Sequence, residues 1–313
     1  MHVRLRLRKL TLATLVVFTI FVAVQVSGAD MKGQVMGGGA PVAQSTVTLW
    51  AASAGAPKQL AQTKTDNEGR FEVRSAGAPA DSSLYLVATG GEPKARGGGN
   101  NSAIALLAVV GSKPPARVVI NEFTTIASVW THAQFIDGMT IKGAPLQLRI
   151  AAGNVPNFVD LETGGYGATI ADALNSTQSP TLANFGTLAD VIAGCVTRVQ
   201  ADACNSLFEA ARPPSGGLPT DTLNTAESIA LYPWHQPDKV FALLAKLYPI
   251  PQGKRELRPA PFMPYLTFAP SAWVLPLRIA GGGLSAGGKL MIDSEGNIWT
   301  ADNFQVGAQA QDT

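Results

Sequence analysis

The pentapeptide Gly283-Leu284-Ser285-Ala286-Gly287 carries the spacing G-x-S-x-G, in which a serine at a strand-to-helix turn exposes its hydroxyl for nucleophilic attack. That chemistry needs a histidine base after the serine, and the last histidine of the chain is His235. It also needs a helix after the serine, whereas Lys289–Ile292 reads as a strand. The elbow therefore has neither base nor geometry, and no catalytic residue is expected. A metal centre is not expected either. Of the three histidines, His2 lies in the leader, His132 falls beside Ser128 on the polar face of a helix and reads as solvated, and His235 sits in a loop beside Trp234. Asp66-Asn67-Glu68-Gly69-Arg70 lacks the alternating carboxylates and terminal Glu of a helix–loop–helix calcium site. The glycines at 97–99 follow no strand–helix unit, so no nucleotide loop and no cofactor is implied. Asp190 with Arg198, and Glu209 with Arg212, read as solvated helix charges.

Cys195 and Cys204 are the only cysteines. In an oxidising compartment a pair this close is expected to form a disulfide. In one unbroken helix, residues nine apart lie roughly 13.5 Å apart along the axis and on opposite sides. A disulfide needs Cα atoms within about 7 Å. Pairing therefore requires the helix to break within Thr197–Ala203, where Asp202 is positioned to cap a second helix. A bridged helical hairpin is the favoured reading, and two buried free thiols are the alternative.

The compartment is read from the first residues. Arg4, Arg6, Arg8 and Lys9 form a basic head, Leu10–Val26 is almost wholly apolar, and Ser27-Gly28-Ala29 offers small residues ahead of Asp30. This is the layout of a signal peptide cleaved between Ala29 and Asp30. The apolar run of about 17 residues leaves an uncleaved membrane anchor as the alternative. No cysteine follows it for a lipoprotein anchor. Beyond Ala29 the chain has 20 basic against 22 acidic residues, a net charge of −2, so the basic isoelectric point belongs to the leader. No Lys/Arg patch interleaved with aromatics remains, which gives nucleic-acid binding little support.

The elements follow from the apolar pattern. Between Lys32 and Thr89, runs at 32–36, 45–52, 58–65, 69–73 and 83–89 alternate as in a small antiparallel β-sandwich. In the turn Thr65–Phe71, Gly69 is positioned to take positive φ, and the turn is expected to set Lys64 and Phe71 on adjacent antiparallel strands. The residues "GQVMGGGAPVAQSTVTLW", "TKTDNEGRFEV" and "LYLVATGG" resemble the carboxypeptidase regulatory-like and collagen-adhesin B-type family of prealbumin-like sandwiches. That resemblance covers about 60 residues. It implies a spacer or a glycan-binding module. Some adhesin members carry a Lys–Asn isopeptide bond, but the last strand here offers Lys32 no Asn.

A Gly-rich linker at 91–103 follows, then two strands, "AIALLAVVG" at 103–111 and "ARVVIN" at 116–121, that could pair as a hairpin. Helices are expected from Glu122, over 182–199, over 204–211, over 223–230 and over 240–247, each with one apolar face, as in a small bundle.

The end of the chain, "AWVLPLRIAGGGLSAGGKLMIDSEGNIWTADN", resembles the first blade of an NHL-type β-propeller of the exported, streptogramin-lyase-like kind. The resemblance implies a strand around Trp273, a Gly turn, a further strand, and Trp299 projecting between blades. Members of that group also carry segments similar to Asn121–Ser128 and Cys195–Phe208 upstream. Their usual Pro and Ala before the blade strand are replaced here by "GGKLM", and the lyase histidine within the propeller has no counterpart. A propeller needs about four to eight blades of roughly 40 residues each. The residues after Phe262 supply one, so either the chain once continued into a ring or its end packs on the helical part.

The expectation is thus a multidomain α+β protein: signal peptide 1–29, prealbumin-like β-sandwich 30–90, linker 91–103, mainly helical domain 104–255 and partial propeller blade 256–313. It is expected to be secreted or periplasmic and non-enzymatic, with a polysaccharide or an envelope protein as partner. It would meet a membrane only through an uncleaved leader. The alternative is a lyase-like or hydrolytic propeller enzyme whose catalytic blades are missing.

Overall fold

A computed structural model of the chain describes residues 30–74, 77–95, 98–251, 257–279 and 287–302. The expected cleavage site lies outside them apart from Asp30, and so do Ser285 and the rest of the elbow up to Ala286. The fold is mixed α+β, with several antiparallel sheets and eight α-helices among the described residues.

Strands β1 (Asp30–Gly37), β2 (Ala40–Ala43), β3 (Thr46–Ala52), β4 (Lys58–Lys64), β5 (Arg70–Arg74), β6 (Ser83–Thr89), β7 (Glu92–Pro93), β8 (Ala105–Gly111) and β9 (Arg117–Ile120) make two sheets. One runs β5-β1-β2-β7, with β9 added parallel to β1, and the other runs β4-β3-β6-β8. Side chains from both, such as Met31, Val35 and Phe71 against Val47, Leu49 and Leu86, are buried in one core.

Asp66 shapes the turn after β4. Its Oδ1 accepts from the Glu68 and Arg70 amides at 3.0 and 2.7 Å, and Gly69 has φ +72° with no room for a Cβ against Val35 O. The turn does not, however, join partners in one sheet. β4 pairs with β3, whereas β5 pairs with β1. Lys64 and Phe71 therefore lie in different sheets, because the turn crosses between the layers.

The strands at 105–111 and 117–120 do not pair with each other. β8 pairs antiparallel with β6, and β9 pairs parallel with β1. The sheets thus draw strands from well beyond residue 90, and the Gly-rich segment is a connection within them. Their composition carries the reason. β6 and β8 are buried on both faces, and a strand covered on both sides reads as a continuous apolar run, "LYLVA" or "ALLAVV", rather than an alternation.

Helices α1 (Glu122–His132), α2 (Pro145–Asn154), α3 (Ala168–Ala171), α4 (Ala173–Ser176), α5 (Thr181–Val196), α6 (Ala203–Ala210), α7 (Thr222–Leu231) and α8 (Pro237–Leu247) follow. A small hairpin, β10 (Ile136–Asp137) with β11 (Thr140–Ile141), interrupts them. Asn121 and Thr124 form a capping box at the start of α1. Asp221 caps α7, and Pro237 occupies the first turn of α8.

The helices close over β8, whose outer edge would otherwise expose unpaired amides. Thr222 Oγ1, Thr125 Oγ1 and Ser128 Oγ accept from the amides of Ala105, Leu107 and Val109 at 3.0, 3.0 and 2.9 Å. All three hydroxyl residues are fully buried. The face of α1 that carries Ser128 is therefore turned into the protein, and His132 is buried with it. This overturns the solvated reading of His132. Its Nδ1 lies 3.0 Å from Ser128 O, and burial pushes its pKa down to about 4.

The helix expected over 182–199 ends at Val196, Arg198 takes φ +47°, and α6 begins at Ala203. The break brings Cys195 and Cys204 to a Cα separation of 4.4 Å, bridged by a disulfide. Asp202 holds the N-cap position without capping. Its carboxylate takes Lys246 Nζ and Ser206 Oγ instead. Replacing both cysteines with serine is expected to cost about 2.5 kcal/mol, from the chain entropy released by opening a loop of this length. Equal urea midpoints for the wild type and the double variant would contradict this.

Strands β12 (Gly287–Ile292) and β13 (Ile298–Asp302) form a terminal antiparallel hairpin. Asp293 organises its turn, accepting from the Glu295 and Asn297 amides and from Trp299 Nε1, each at 2.9 Å.

Candidate ligand-binding groove

β1 presents Lys32, Gln34 and Met36 on alternate positions. In register beside Lys32 stand Glu72 on β5 and Arg117 on β9, and Arg70 stands beside Gln34. A depression of about 800 Å³ is lined by Lys32, Gly33, Gln44, Thr63, Lys64, Thr65, Asp66, Arg70, Phe71, Glu72, Ala116 and Arg117. A second depression, of about 420 Å³, shares Arg117 and continues past Gln34 and Met36 to Glu162, the Thr163–Gly165 backbone and Phe262.

Lys32, Lys64, Arg70 and Arg117 are exposed, and none of them belongs to an ion pair found among the described residues. Two carboxylates, Glu72 and Asp66, line the first depression against these four cations. Glu72 pairs with Arg74 at 2.8 Å, which holds its carboxyl below the usual range, and Asp66 serves the turn amides. The field in the first depression is therefore positive although the chain beyond Ala29 is net negative. Sequence reasoning missed this because the four cations come from β1, β4, β5 and β9. Only the pairing of β9 with β1 brings Arg117 to the site.

A second polar constellation lies inside. Residues 257–279 contain neither helix nor strand and form a strap laid antiparallel along α4 and α5. Asn175 exchanges hydrogen bonds with the Arg278 backbone at 2.8 and 2.7 Å. Thr181 Oγ1 donates to Pro276 O at 2.6 Å, and Asn184 Nδ2 donates to Val274 O at 3.2 Å. Thr187 Oγ1 accepts from the Leu266 amide at 2.7 Å, and Asp190 Oδ1 from the Phe262 amide at 2.9 Å. Thr181, Asn184, Thr187 and Asp190, at three-residue steps, make a ladder for a backbone that has no sheet partner. Gly186 lies beneath the strap, where a Cβ would overlap Pro264 O.

This explains why α5 is buried on nearly every side rather than on one face. It also corrects the reading of Asp190 as a solvated helix charge. Asp190 is fully buried, and desolvation, aided by the nearby Glu122 carboxylate, pushes its pKa up to about 8. Glu122 is likewise fully buried, with its pKa raised to about 7 by desolvation, and its Oε1 accepts from the Gly38 amide at 2.8 Å. Oε2 of Glu122 and Oδ2 of Asp190 have no partner. Both carboxyls are buried, Asp190 beside Tyr166 and Phe262, whose rings contact Phe123, and Glu122 against the Gly37–Gly38 turn. They hold backbone and offer no surface to a substrate.

The remaining sequence-derived residues sit apart from the groove. Arg198 reaches the carbonyls of Gly98 and Gly99 rather than Asp190. Glu209 and Arg212 form the expected exposed pair at 2.8 Å. His235 lines a small depression with Ser228 and Trp273, while Trp234 is exposed. Lys32 is exposed on β1. Asp30, opposite Arg74 in the β1–β5 register, is exposed too. Trp273, expected in a blade strand, is instead an anchor of the strap. The described residues contain no cluster of three or more potential metal ligands.

No family model matches the chain, and no curated protein matches it. Among solved structures, a 9R-lipoxygenase from Cyanothece PCC8801 aligns at 18% identity with a TM-score of 0.21. That alignment covers 29% of this chain and 15% of the lipoxygenase.

Proposed function

We propose that this is an exported, non-enzymatic binding protein of the bacterial envelope or exterior, whose β-sandwich takes a carbohydrate or protein ligand in the groove along β1. The observation that carries the proposal is the set of four cations, in no ion pair found among the described residues, around a depression of about 800 Å³. The Cys195–Cys204 disulfide supports an oxidising compartment. No helix among the described residues is long and apolar enough to cross a membrane. The reading draws on the resemblance of the sandwich motifs and the terminal segment to a regulatory-like module followed by propeller-type sequence.

The test is retention of the chain, purified without residues 1–29, on affinity gels of neutral and acidic polysaccharides. Retention on at least one gel is expected, and the Lys32→Ala/Arg117→Ala double variant should bind about tenfold more weakly, at up to about 1 kcal/mol per exposed charge contact. No retention on a broad panel, or equal retention of the variant, would count against the groove.

The propeller-enzyme reading rests on the terminal hairpin, where Leu290, Met291, Ile292, Ile298 and Trp299 are each at least 64% exposed. A hairpin with apolar side chains this open suits a blade that packs on neighbours. Genomic sequence past the last codon tests it, since further D-x-x-G-N-x-W units containing a histidine would favour it and unrelated sequence would oppose it.

A further inference from the structure

We infer that the groove along β1 binds an acidic polysaccharide, with a carboxylate- or sulfate-bearing sugar seated among Lys32, Arg70 and Arg117 and the following sugars running past Gln34 toward Phe262. The inference rests on the binding reading above and adds the ligand class.

Three features of the groove carry it. The first is the distribution of charge. Neighbouring strands lie about 4.8 Å apart, so the register places Arg117 and Lys32 side by side, with Arg70 diagonal to them across β5. None of the three belongs to an ion pair found among the described residues, although Lys32 faces Glu72 across the strands and helps hold its carboxyl below the usual range. Glu162, at the far depression, repels an anion there, so the acidic group is fixed at the Lys32 end and the chain direction is set.

The second is shape. The two depressions share Arg117 and together extend along the outward-facing positions of β1, a trough suited to a linear chain rather than to a compact metabolite.

The third separates sugars from nucleic acids, the other common polyanions. Single-stranded nucleic acids are held by aromatic side chains on which successive bases stack. Here Phe71 is only 6% exposed, and Phe262 is half-buried and packed on Phe123 at a centroid distance of 4.5 Å. The first depression is instead lined also by Gln44 and Thr63, whose amide and hydroxyl are groups that pair with sugar hydroxyls.

The experiment titrates the chain, without residues 1–29, against polygalacturonate, dextran sulfate, uncharged dextran and an oligothymidine of matched charge number at several salt concentrations. Binding of either acidic polysaccharide at least tenfold tighter than dextran and than the oligothymidine is expected. It should weaken with salt and fall at least tenfold again in Arg117→Glu, with the circular dichroism of the variant unchanged. Neutral dextran binding as well as the acidic polymers would overturn the inference and leave the binding reading standing. Oligothymidine binding as tightly as the acidic polysaccharides would overturn the ligand class. Binding of none of the four would overturn this inference, and failure on the wider panel of gels as well would remove the binding reading. Should Arg117→Glu unfold, Lys32→Ala, exposed on the neighbouring strand, provides the same reading.

Discussion

Trp273→Ala is expected to lower the unfolding free energy by about 3–5 kcal/mol, the range for emptying a large aromatic site in a core. Trp273 is 1% exposed although its segment has no secondary structure. Its amide donates to Pro233 O at 2.9 Å, its indole Nε1 to Pro237 O at 3.2 Å, and its carbonyl accepts from Trp130 Nε1 at 3.0 Å. One residue therefore ties the strap to the α7–α8 connection and to α1. Truncation leaves a cavity and strips the Pro237 carbonyl, at the start of α8, of its indole donor, while the two backbone hydrogen bonds of residue 273 remain possible. Urea unfolding monitored by far-UV circular dichroism reads the loss, and limited proteolysis within 257–279 reads release of the strap. Gly186→Ala, which crowds Pro264 O, should release the same segment at a cost of about 1–3 kcal/mol. A Trp273→Ala protein less than 1 kcal/mol below wild type, with an uncleaved strap, would show that Trp273 is not what anchors the strap.

The second large effect is a fall in stability as pH rises. Asp190 and Glu122 have folded-state pKa values raised to about 8 and about 7, from ordinary values of 3.8 and 4.5, chiefly by desolvation. A group that holds its proton more tightly when folded contributes stability that is fully present below its unfolded pKa. That stability is lost as pH climbs through the folded value. The window therefore runs from about pH 4 to about pH 8. His132 acts in the opposite sense. Its pKa falls from 6.5 to about 4 on burial, so its contribution is present above pH 6.5 and lost on acidification. Two carboxyls outweigh one imidazole, and a net loss on the order of a few kcal/mol is expected between pH 5 and pH 8.

Asp190→Asn isolates the larger share. An amide keeps an oxygen for the Phe262 N–H and cannot ionise. The gap between 3.8 and about 8 sets an upper bound of about 6 kcal/mol, at about 1.4 kcal/mol per pH unit. The variant is expected to match wild type near pH 5 and to exceed it by about 3 kcal/mol at pH 8. A wild-type melting temperature that rises from pH 5 to pH 8, or an Asn variant with the wild-type slope, would refute the assignment.

The segment Asn121–Ser128 illustrates how little of this was legible. Its apolar spacing announced a helix, and that helix forms from Glu122. Yet five of its residues act through partners distant in sequence or through the helix end: Asn121 and Thr124 cap, Glu122 holds Gly38, and Thr125 and Ser128 complete the edge of β8. Periodicity marks polar residues as outward-facing, since solvent is the usual partner of a hydroxyl or carboxylate. It has no means of registering a strand edge or a strap that arrives from elsewhere. The same blindness applied to α5, where Thr181, Asn184, Thr187 and Asp190 grip a backbone some 70 to 95 residues away.

What the sequence determined by itself was local. It specified the five strands between Lys32 and Thr89, the Asp66–Gly69 turn, the approximate extents of five helices, and the need for a helical break if Cys195 and Cys204 were to meet. Each depends on backbone sterics or on groups within a few residues. The tertiary structure decided which sheet each strand joined, which polar residues were buried, and which four cations surround the groove. Those outcomes turn on contacts between segments remote in the chain, where desolvation and hydrogen-bond satisfaction are settled only once the layers have closed.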